Sequence, residues 1–184
     1  MRRGKPSIVL FIEGESSEAI ASLRQGFNKL FSQVLAGKMP RIIMGDGLST
    51  TVNKFKKNKR QGTSFLLVDL DTTEAKKADR LQELDLKDYD KFVFWMVQEM
   101  EAWFLSQHEV IDNLYGKGTA AKLTKKRPQE FKKPSVVLMD ITRASKKGKY
   151  NKVKNAVEFL EKLDAIQLRK DFPEFDRLVV ALGG

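Results

Sequence analysis

The sequence predicts an α/β protein with a Rossmann-like, mostly parallel four-stranded sheet flanked by helices. Four short apolar runs rich in β-branched and aromatic residues alternate with segments of helical periodicity over residues 1–113. The apolar runs are continuous and do not alternate with polar residues, which is typical of parallel strands buried on both faces. This β-α alternation indicates a parallel sheet joined by right-handed crossover connections.

The strands are predicted at residues 7–12, 41–44, 64–68 and 91–97. Each is followed by a segment with helical spacing of apolar residues. The first two helices begin at Ser16 or Ser17 and at Ser49 or Thr50, since serine and threonine are favoured at helix N-termini. The third and fourth helices are predicted over residues 73–84 and 99–113.

The remaining residues, 114–184, differ in composition and predict a helical cap on the α/β core of the same single domain. Residues 116–134 are polar, basic and loop-rich, with a short helix near 119–123. Further helices are predicted over 135–141, 150–163 and 173–182. The last of these begins with a proline and is followed by Gly183, as helices often are.

The composition of the 184-residue chain excludes several classes of protein. It contains no cysteine, so disulfides, thiolate zinc sites and cysteine nucleophiles are excluded. A zinc site built on several histidines is excluded as well, because His108 is the single histidine, and we expect it on the surface of a helix. No apolar stretch approaches the roughly 20 residues of a membrane span. We therefore expect a cytoplasmic protein without a membrane partner.

Charge is unevenly distributed along the chain, whose net charge is +10. Residues 69–101 contain ten acidic and five basic residues, whereas residues 102–154 contain thirteen basic and four acidic ones. A basic half beside an acidic site is the layout expected of an enzyme that acts on a polyanion, and it favours nucleic acid as the partner.

Acidic residues follow three of the predicted strands. Glu13-Gly14 follows the first strand, Asp69 and Asp71 follow the third, and Glu99 follows the fourth. Ligands of open α/β sheets bind outside the carboxyl ends of the strands, so these carboxylates are expected near one another. Carboxylates brought together in this way favour Mg²⁺ or Mn²⁺. We predict Glu13, Asp69 and Asp71 as metal ligands, with Glu13 also a candidate general acid or base.

Glu99 and Glu101 are open to two interpretations. Glu99 can be an additional metal ligand or can orient one, whereas acidic residues at the start of a helix also stabilise the helix itself. The two side chains point to different faces of the predicted helix, so only one of them is expected to face the site.

The order of strand, Glu13-Gly14, strand, Asp69-Leu-Asp71 resembles the Toprim domain of topoisomerases, primases and OLD-type nucleases. The segment from Phe94 to Leu105, which contains Glu-Met-Glu-Ala-Trp, together with Tyr150-x-Lys152, is similar to a narrower bacterial group, domain of unknown function 4276. The resemblance implies a magnesium-dependent nuclease site formed by Glu13, Asp69 and Asp71. It also implies a role in phage defence beside an AAA/SMC-like ATPase.

The chain departs from this group after Glu13, where Glu-Gly-x-Thr-Glu is replaced by residues 13–18, Glu-Gly-Glu-Ser-Ser-Glu. A further acid at the site is therefore supplied by Glu15 or by Glu18. Lys152 matches the lysine of the Tyr-x-Lys pattern and is the first candidate for a phosphate contact. The other candidates for contact with nucleic acid are Arg143, Lys146 and Lys54.

Two other functions fit the same residues. Asp69-Leu-Asp71-Thr-Thr73 matches the Asp-x-Asp-x-Thr pattern of haloacid-dehalogenase-type phosphatases, in which the first aspartate is a covalent nucleophile. The order of motifs disfavours this family, because another acid-tipped strand precedes Asp69 here. The second alternative is a non-catalytic nucleic-acid-binding or regulatory subunit of an ATPase complex.

Overall fold

Four parallel strands form one sheet in the order β2-β1-β3-β4. A computed structural model describes residues 8–14, 17–37, 39–59 and 63–184, except the side chains of 17–21 and 59. The strands are β1 (Val9–Ile12), β2 (Arg41–Met44), β3 (Ser64–Asp69) and β4 (Val93–Met96). The predicted α/β class and the parallel sheet are thereby confirmed.

Nine α-helices connect and follow these strands within the described residues. They are α1 (Ser17–Ser32), α2 (Leu48–Lys59), α3 (Lys77–Glu83), α4 (Glu101–Ser106), α5 (His108–Tyr115), α6 (Pro134–Thr142), α7 (Lys152–Lys162), α8 (Ala165–Asp171) and α9 (Pro173–Leu182). Short 3-10 turns occupy Glu74–Lys76, Lys87–Phe92, Ala120–Lys122 and Pro128–Glu130.

The sheet separates two hydrophobic cores because successive strand residues point to opposite faces. On β1, Leu10 and Ile12 pack into the larger core with α1, α4 and the C-terminal helices, whereas Phe11 packs into the smaller core with α2 and α3. Trp103 and Tyr150 are buried in the larger core. The C-terminal helices therefore cover one face of the sheet as part of the main core.

Helix α9 also protects the outer edge of β4, which pairs with no further strand in the described part of the chain. The carboxylate of Glu174 accepts a hydrogen bond from the backbone N–H of Trp95 at 3.3 Å, and the guanidinium of Arg177 donates to the carbonyl of Val93 at 2.5 Å. Because unpaired edge groups invite pairing with other chains, these two side chains take the place of a neighbouring strand.

Two details differ from the predicted elements. The helix expected over 99–113 is interrupted at Gln107, whose backbone leaves the helical region, so that α4 and α5 are separate helices. Helix α8 was not predicted, although Asp164 caps it by accepting from the N–H groups of Ile166 and Gln167. No helix among the described residues is long and apolar enough to cross a membrane.

Candidate functional site

The two central strands end at the point where the strand order changes direction. The chain passes from β1 to β2 on one side and then to β3 on the other side of β1. Such a switch point leaves a crevice at the carboxyl ends of the two strands, where ligands of open α/β sheets bind. Glu13 follows β1 directly, and its N–H donates to the carbonyl of Leu67 on β3 at 3.2 Å, while Asp69 ends β3.

A small pocket lies at this crevice, with a volume of about 30 Å³. Its polar side chains are Glu13, Asp69 and Lys152. The remaining lining residues are Gly14, Leu23, Phe27, Met96, Met100 and Val153. A cavity of this size has room for a water molecule or a small ion. The structure therefore brings two of the predicted site carboxylates and the predicted phosphate-binding lysine into one pocket.

Both oxygens of the Asp69 carboxylate have partners in the protein. Oδ1 accepts a hydrogen bond from the backbone N–H of Met100 at 2.8 Å, and Oδ2 lies 3.4 Å from Nζ of Lys152. These contacts fix the carboxylate, whose residue is only 9% exposed, at the base of the pocket. Each oxygen retains a second lone pair for another ligand.

Lys152 is shared with a second buried carboxylate, that of Glu101. Oε2 of Glu101 lies 3.7 Å from Nζ of Lys152, and Oε1 accepts a hydrogen bond from the hydroxyl of Tyr150 at 2.9 Å. Glu101 is fully buried, and Tyr150 is fixed through its backbone N–H, which donates to Oγ1 of Thr142 at 2.8 Å. Both named residues of the Tyr150-x-Lys152 pattern thus contact the carboxylate of Glu101.

Among the described residues, carboxylates outnumber cations at the site, and both burial and this imbalance raise the pKa values of its acids. Burial raises the pKa of Asp69 well above its ordinary value; Lys152 opposes this effect, whereas Glu101, Glu13 and Asp71 add to it. Burial likewise raises the pKa of Glu101, against Lys152 and the hydroxyl of Tyr150, which lower it. One lysine does not compensate for several neighbouring carboxylates, so an additional cation would be stabilised here.

Close packing of α7 against α1 positions Lys152, which is the first residue of α7. Gly26 on α1 makes this approach possible, because a Cβ at that position would lie 2.9 Å from Cβ of Leu160 on α7. Val153, the next residue of α7, also lines the pocket. The C-terminal part of the chain therefore supplies one wall of a site whose carboxylates come from the sheet.

Asp71 points away from this pocket. Its backbone lies in the left-handed region, with φ of 58°, and its N–H donates to the carbonyl of Gln98 at 2.8 Å. Oδ2 of Asp71 lies 3.2 Å from the guanidinium of Arg80 on α3, and its side chain is about half exposed. Asp71 is close enough to raise the pKa of Asp69, but it does not line the same pocket.

Glu99 is engaged with the start of α6. Its Oε2 accepts the backbone N–H of Ser135 at 2.9 Å, and its Oε1 lies 3.5 Å from Nζ of Lys133. The other predicted acids, Glu15 and the side chain of Glu18, lie outside the described residues.

Of the predicted nucleic-acid contacts beyond Lys152, Lys54 is exposed on α2, and Arg143 pairs with Asp140 at 2.6 Å. Lys146 is exposed on the loop that precedes α7.

The residues present allow a magnesium site of one particular kind. Within the described ranges, no group of three or more histidine, cysteine, aspartate or glutamate residues is arranged to hold a metal ion. A metal here would rest on Glu13 and Asp69, with water and substrate oxygens as the other ligands. Magnesium is commonly held by one or two carboxylates in this way, so the donor set fits that ion.

Sequence reasoning did not identify Glu101 and Tyr150 as partners of Lys152. The sequence leaves open whether Glu99 or Glu101 faces the site and whether either only stabilises the helix start. The sequence feature that could have indicated this contact is the family resemblance, because both Glu-Met-Glu-Ala-Trp and Tyr-x-Lys belong to the pattern of the narrower group. The Met100 N–H that holds Asp69 had no signal in the sequence, because it depends on how the turn after β4 folds.

Comparison with known proteins gives a family without an assigned activity. No curated protein and no solved structure matches this chain. The family profile described as "Domain of unknown function (DUF4276)" matches residues 12–183, which include every residue of the pocket. The chain belongs to this family.

Proposed function

We propose that the protein is a Toprim-type, magnesium-dependent phosphodiesterase that acts on nucleic acid. The observation that carries the proposal is the pocket at the switch point, where Glu13 and Asp69 from the two central strands meet Lys152. Two carboxylates and one ammonium in a small pocket suit the hydrolysis of a phosphodiester. That reaction needs a cation to bind the phosphate oxygens and a general acid or base to transfer protons.

In this proposal each side chain has a distinct task. Asp69, held by the N–H of Met100, and Glu13 would hold Mg²⁺, which supplies a Lewis acid for phosphate oxygens when it is bound. Glu13 also accepts the proton of the attacking water; as the new phosphorus–oxygen bond forms, the bond to the leaving oxygen breaks, and that oxygen takes up a proton from Glu13 or from solvent. Lys152 exchanges its contact with Asp69 for a non-bridging phosphate oxygen, while Glu101 and Tyr150 keep it beside the pocket.

The surface around Lys152 supports a polyanionic substrate. The loop between α6 and α7 carries Lys146, Lys147 and Lys149 and leads directly to Lys152. A run of lysines next to a pocket with carboxylates attracts the phosphate backbone, while the carboxylates of the pocket carry out catalysis. The resemblance to proteins encoded beside AAA/SMC-like ATPases extends the proposal to an ATPase partner that controls the activity in phage defence.

The test is cleavage of labelled RNA and DNA by purified protein with Mg²⁺ or Mn²⁺, alone and with the neighbouring ATPase. Glu13→Gln and Asp69→Asn are compared with Asp88→Asn, an exposed acid before β4. We expect wild type and Asp88→Asn to cleave and both pocket variants to lose at least a hundredfold in rate, since general acid–base catalysis alone contributes about 10²–10⁴-fold. Equal cleavage by all four proteins would contradict the proposal.

One observation favours a second candidate, the non-catalytic nucleic-acid-binding subunit. Lys152 already contacts both Asp69 and Glu101, so the pocket has a cation of its own without any metal. In that case the protein with its ATPase would bind nucleic acid, and neither Mg²⁺ nor Mn²⁺ would produce cleavage that depends on Glu13 or Asp69.

A further inference from the structure

A second concave surface lies between the C-terminal end of α5 and the loop that joins α6 to α7. We call it the lysine groove. It has a volume of about 560 Å³ and is lined by residues 114–119, Lys122 and residues 144–147. This size falls within the range of ligand-binding clefts, whereas the pocket at the switch point admits only a small ion or water.

The lining of the lysine groove has one sign of charge. Its residues, all within the described part of the chain, include four lysines and neither aspartate nor glutamate; the lysines are Lys117, Lys122, Lys146 and Lys147. A concave surface lined by one sign of charge concentrates ligands of the opposite sign. The groove is therefore suited to an anion with several charges.

Two of these lysines are held in place by the protein. Nζ of Lys122 donates to the carbonyl of Ile141 at 3.0 Å, and Lys147 pairs with Glu158 and lies over the ring of Tyr115, 5.4 Å from its centroid. An ammonium has three donors, so each can still bind a ligand oxygen. Lys117 and Lys146 are exposed, and neither has an ion-pair partner among the residues described.

The wall that carries Lys117 is a fixed loop. Gly116 and Gly118 have φ of 107° and 86°, in the region that favours glycine. The carboxylate of Asp112 accepts the N–H of Gly118 at 3.0 Å and that of Ala120 at 2.8 Å. These backbone donors lower the pKa of Asp112. The groove is thus preorganised, which limits the entropy lost when a ligand binds.

The groove is also close to the pocket along the chain. Lys147 lines the groove and Lys152 lines the pocket, and five residues span at most about 17 Å. A nucleic-acid strand with one phosphate per roughly 3.4 Å covers that length in about five nucleotides.

We propose that the lysine groove binds the phosphate backbone of the nucleic acid whose scissile bond lies in the pocket. This inference rests on the proposed function and adds to it a polymeric substrate that occupies both surfaces at once. Lysines without guanidinium forks or an extended aromatic surface bind phosphate as point charges, and they carry no base readout. The groove consequently sets affinity and register, and sequence preference arises elsewhere.

The experiment compares the pair Lys117→Gln and Lys146→Gln with the pair Lys87→Gln and Lys91→Gln. The control pair removes the same charge from exposed positions in the turn before β4. This turn lies at the N-terminal end of β4, whereas the pocket lies at the carboxyl ends of the strands. Binding of labelled single-stranded RNA, single-stranded DNA and duplex DNA is measured over a range of salt concentrations. Hydrolysis of a small diester, bis(p-nitrophenyl) phosphate, is measured with Mg²⁺.

We expect the groove pair to bind the polymers more weakly, with the slope of log K against log salt reduced by about two, because two phosphate contacts are lost. The control pair should keep both the wild-type slope and the wild-type rate of hydrolysis of the small diester. Equal effects of the two pairs, or no effect of the groove pair, would overturn the inference. So would equally tight binding of poly-glutamate in the groove, which would indicate an acidic protein partner.

The two proposals can fail separately. If wild type hydrolyses neither substrate but the groove pair still lowers the salt slope, the binding surface stands and the enzymatic proposal falls. If the small diester is hydrolysed but the groove pair binds polymers like wild type, the enzyme stands and the groove inference falls.

Discussion

Two clusters of charged side chains in this protein each contain a carboxylate of low exposure, but the pKa values of the two carboxylates shift in opposite directions. The edge cluster consists of Glu174, Lys77 and Arg177, beside the outer edge of β4; the site cluster consists of Asp69, Glu101 and Lys152. Glu174 is 8% exposed and Asp69 is 9% exposed. Yet the pKa of Glu174 lies below its ordinary value, and that of Asp69 lies well above.

Burial is the largest influence on the pKa of both carboxylates, and the two clusters differ in how far cations oppose it. Burial acts to raise the pKa of Glu174, but hydrogen bonds from Arg177 at 2.8 Å and Lys77 at 2.6 Å outweigh it. In the site cluster one ammonium serves two carboxylates at 3.4 and 3.7 Å. The edge cluster therefore has two cations for one carboxylate, whereas among the described residues the site cluster has one cation for two carboxylates. A carboxyl group in a pocket whose pKa is raised by burial and by neighbouring charges is a candidate for a functional site.

The largest effect on stability is expected from the edge cluster. Glu174→Gln removes the charge-assisted hydrogen bonds from Lys77 and Arg177, although Lys77 keeps its pair with Glu74, and should lower the free energy of unfolding by about 3 kcal/mol. Urea denaturation measures the change. Glu130→Gln, which breaks an exposed pair with Arg127, is the control and should change stability little, because exposed ion pairs are screened by solvent. Similar losses of stability in both variants would show that the edge cluster stabilises the fold no more than an exposed ion pair does.

The second prediction concerns Mg²⁺ as an additional cation at the site cluster. If Glu13 and Asp69 hold Mg²⁺, saturating magnesium should stabilise the wild type by about 2.7 kcal/mol at a hundred times its Kd. Neither Glu13→Gln nor Asp69→Asn should show this gain. Thermal unfolding with Mg²⁺ and with EDTA gives the comparison. A Tm increase of the same size in all three proteins would place the bound ion elsewhere.

In the absence of metal, Asp69→Asn is expected to increase stability, by less than the change expected for Glu174→Gln. Since the raised pKa of Asp69 means that the folded state binds the proton more tightly, the wild type loses stability as pH rises from the ordinary value of 3.8 through the folded-state pKa. Asp69→Asn removes this cost and should raise Tm at pH 7 by a few degrees, which corresponds to about 1 kcal/mol.

The measurement for Asp69→Asn is thermal unfolding in EDTA at pH 7 and at successively lower pH. The gain over wild type should disappear as Asp69 becomes protonated in the folded protein. Glu174→Gln provides the opposite case, because a lowered pKa stabilises the folded state above the ordinary value of 4.5 and loses that contribution as pH falls. A lower Tm for Asp69→Asn than for wild type at pH 7 would show that Lys152 fully compensates the buried charge.

The positions of Glu13 and Asp69 could be predicted from the sequence because each follows a continuous apolar run. Strands of that kind lie next to one another in a parallel sheet, and their carboxyl ends share an edge. The same reasoning placed Asp71 with them, but it could not foresee the left-handed backbone that pairs Asp71 with Arg80. Nor could it choose between Glu99 and Glu101, which are two residues apart at the end of one strand.

By itself the sequence determined the α/β class, the four strands, most helices and which strand ends carry acid, since these depend on local apolar periodicity and helix-capping residues. Tertiary structure decided which acids share the pocket. The packing of α7 on α1 through Gly26 and the turn from Val97 to Met100 bring Lys152, Glu101 and the Met100 N–H to Asp69. Those contacts join residues up to 83 positions apart, and no local pattern encodes such distances.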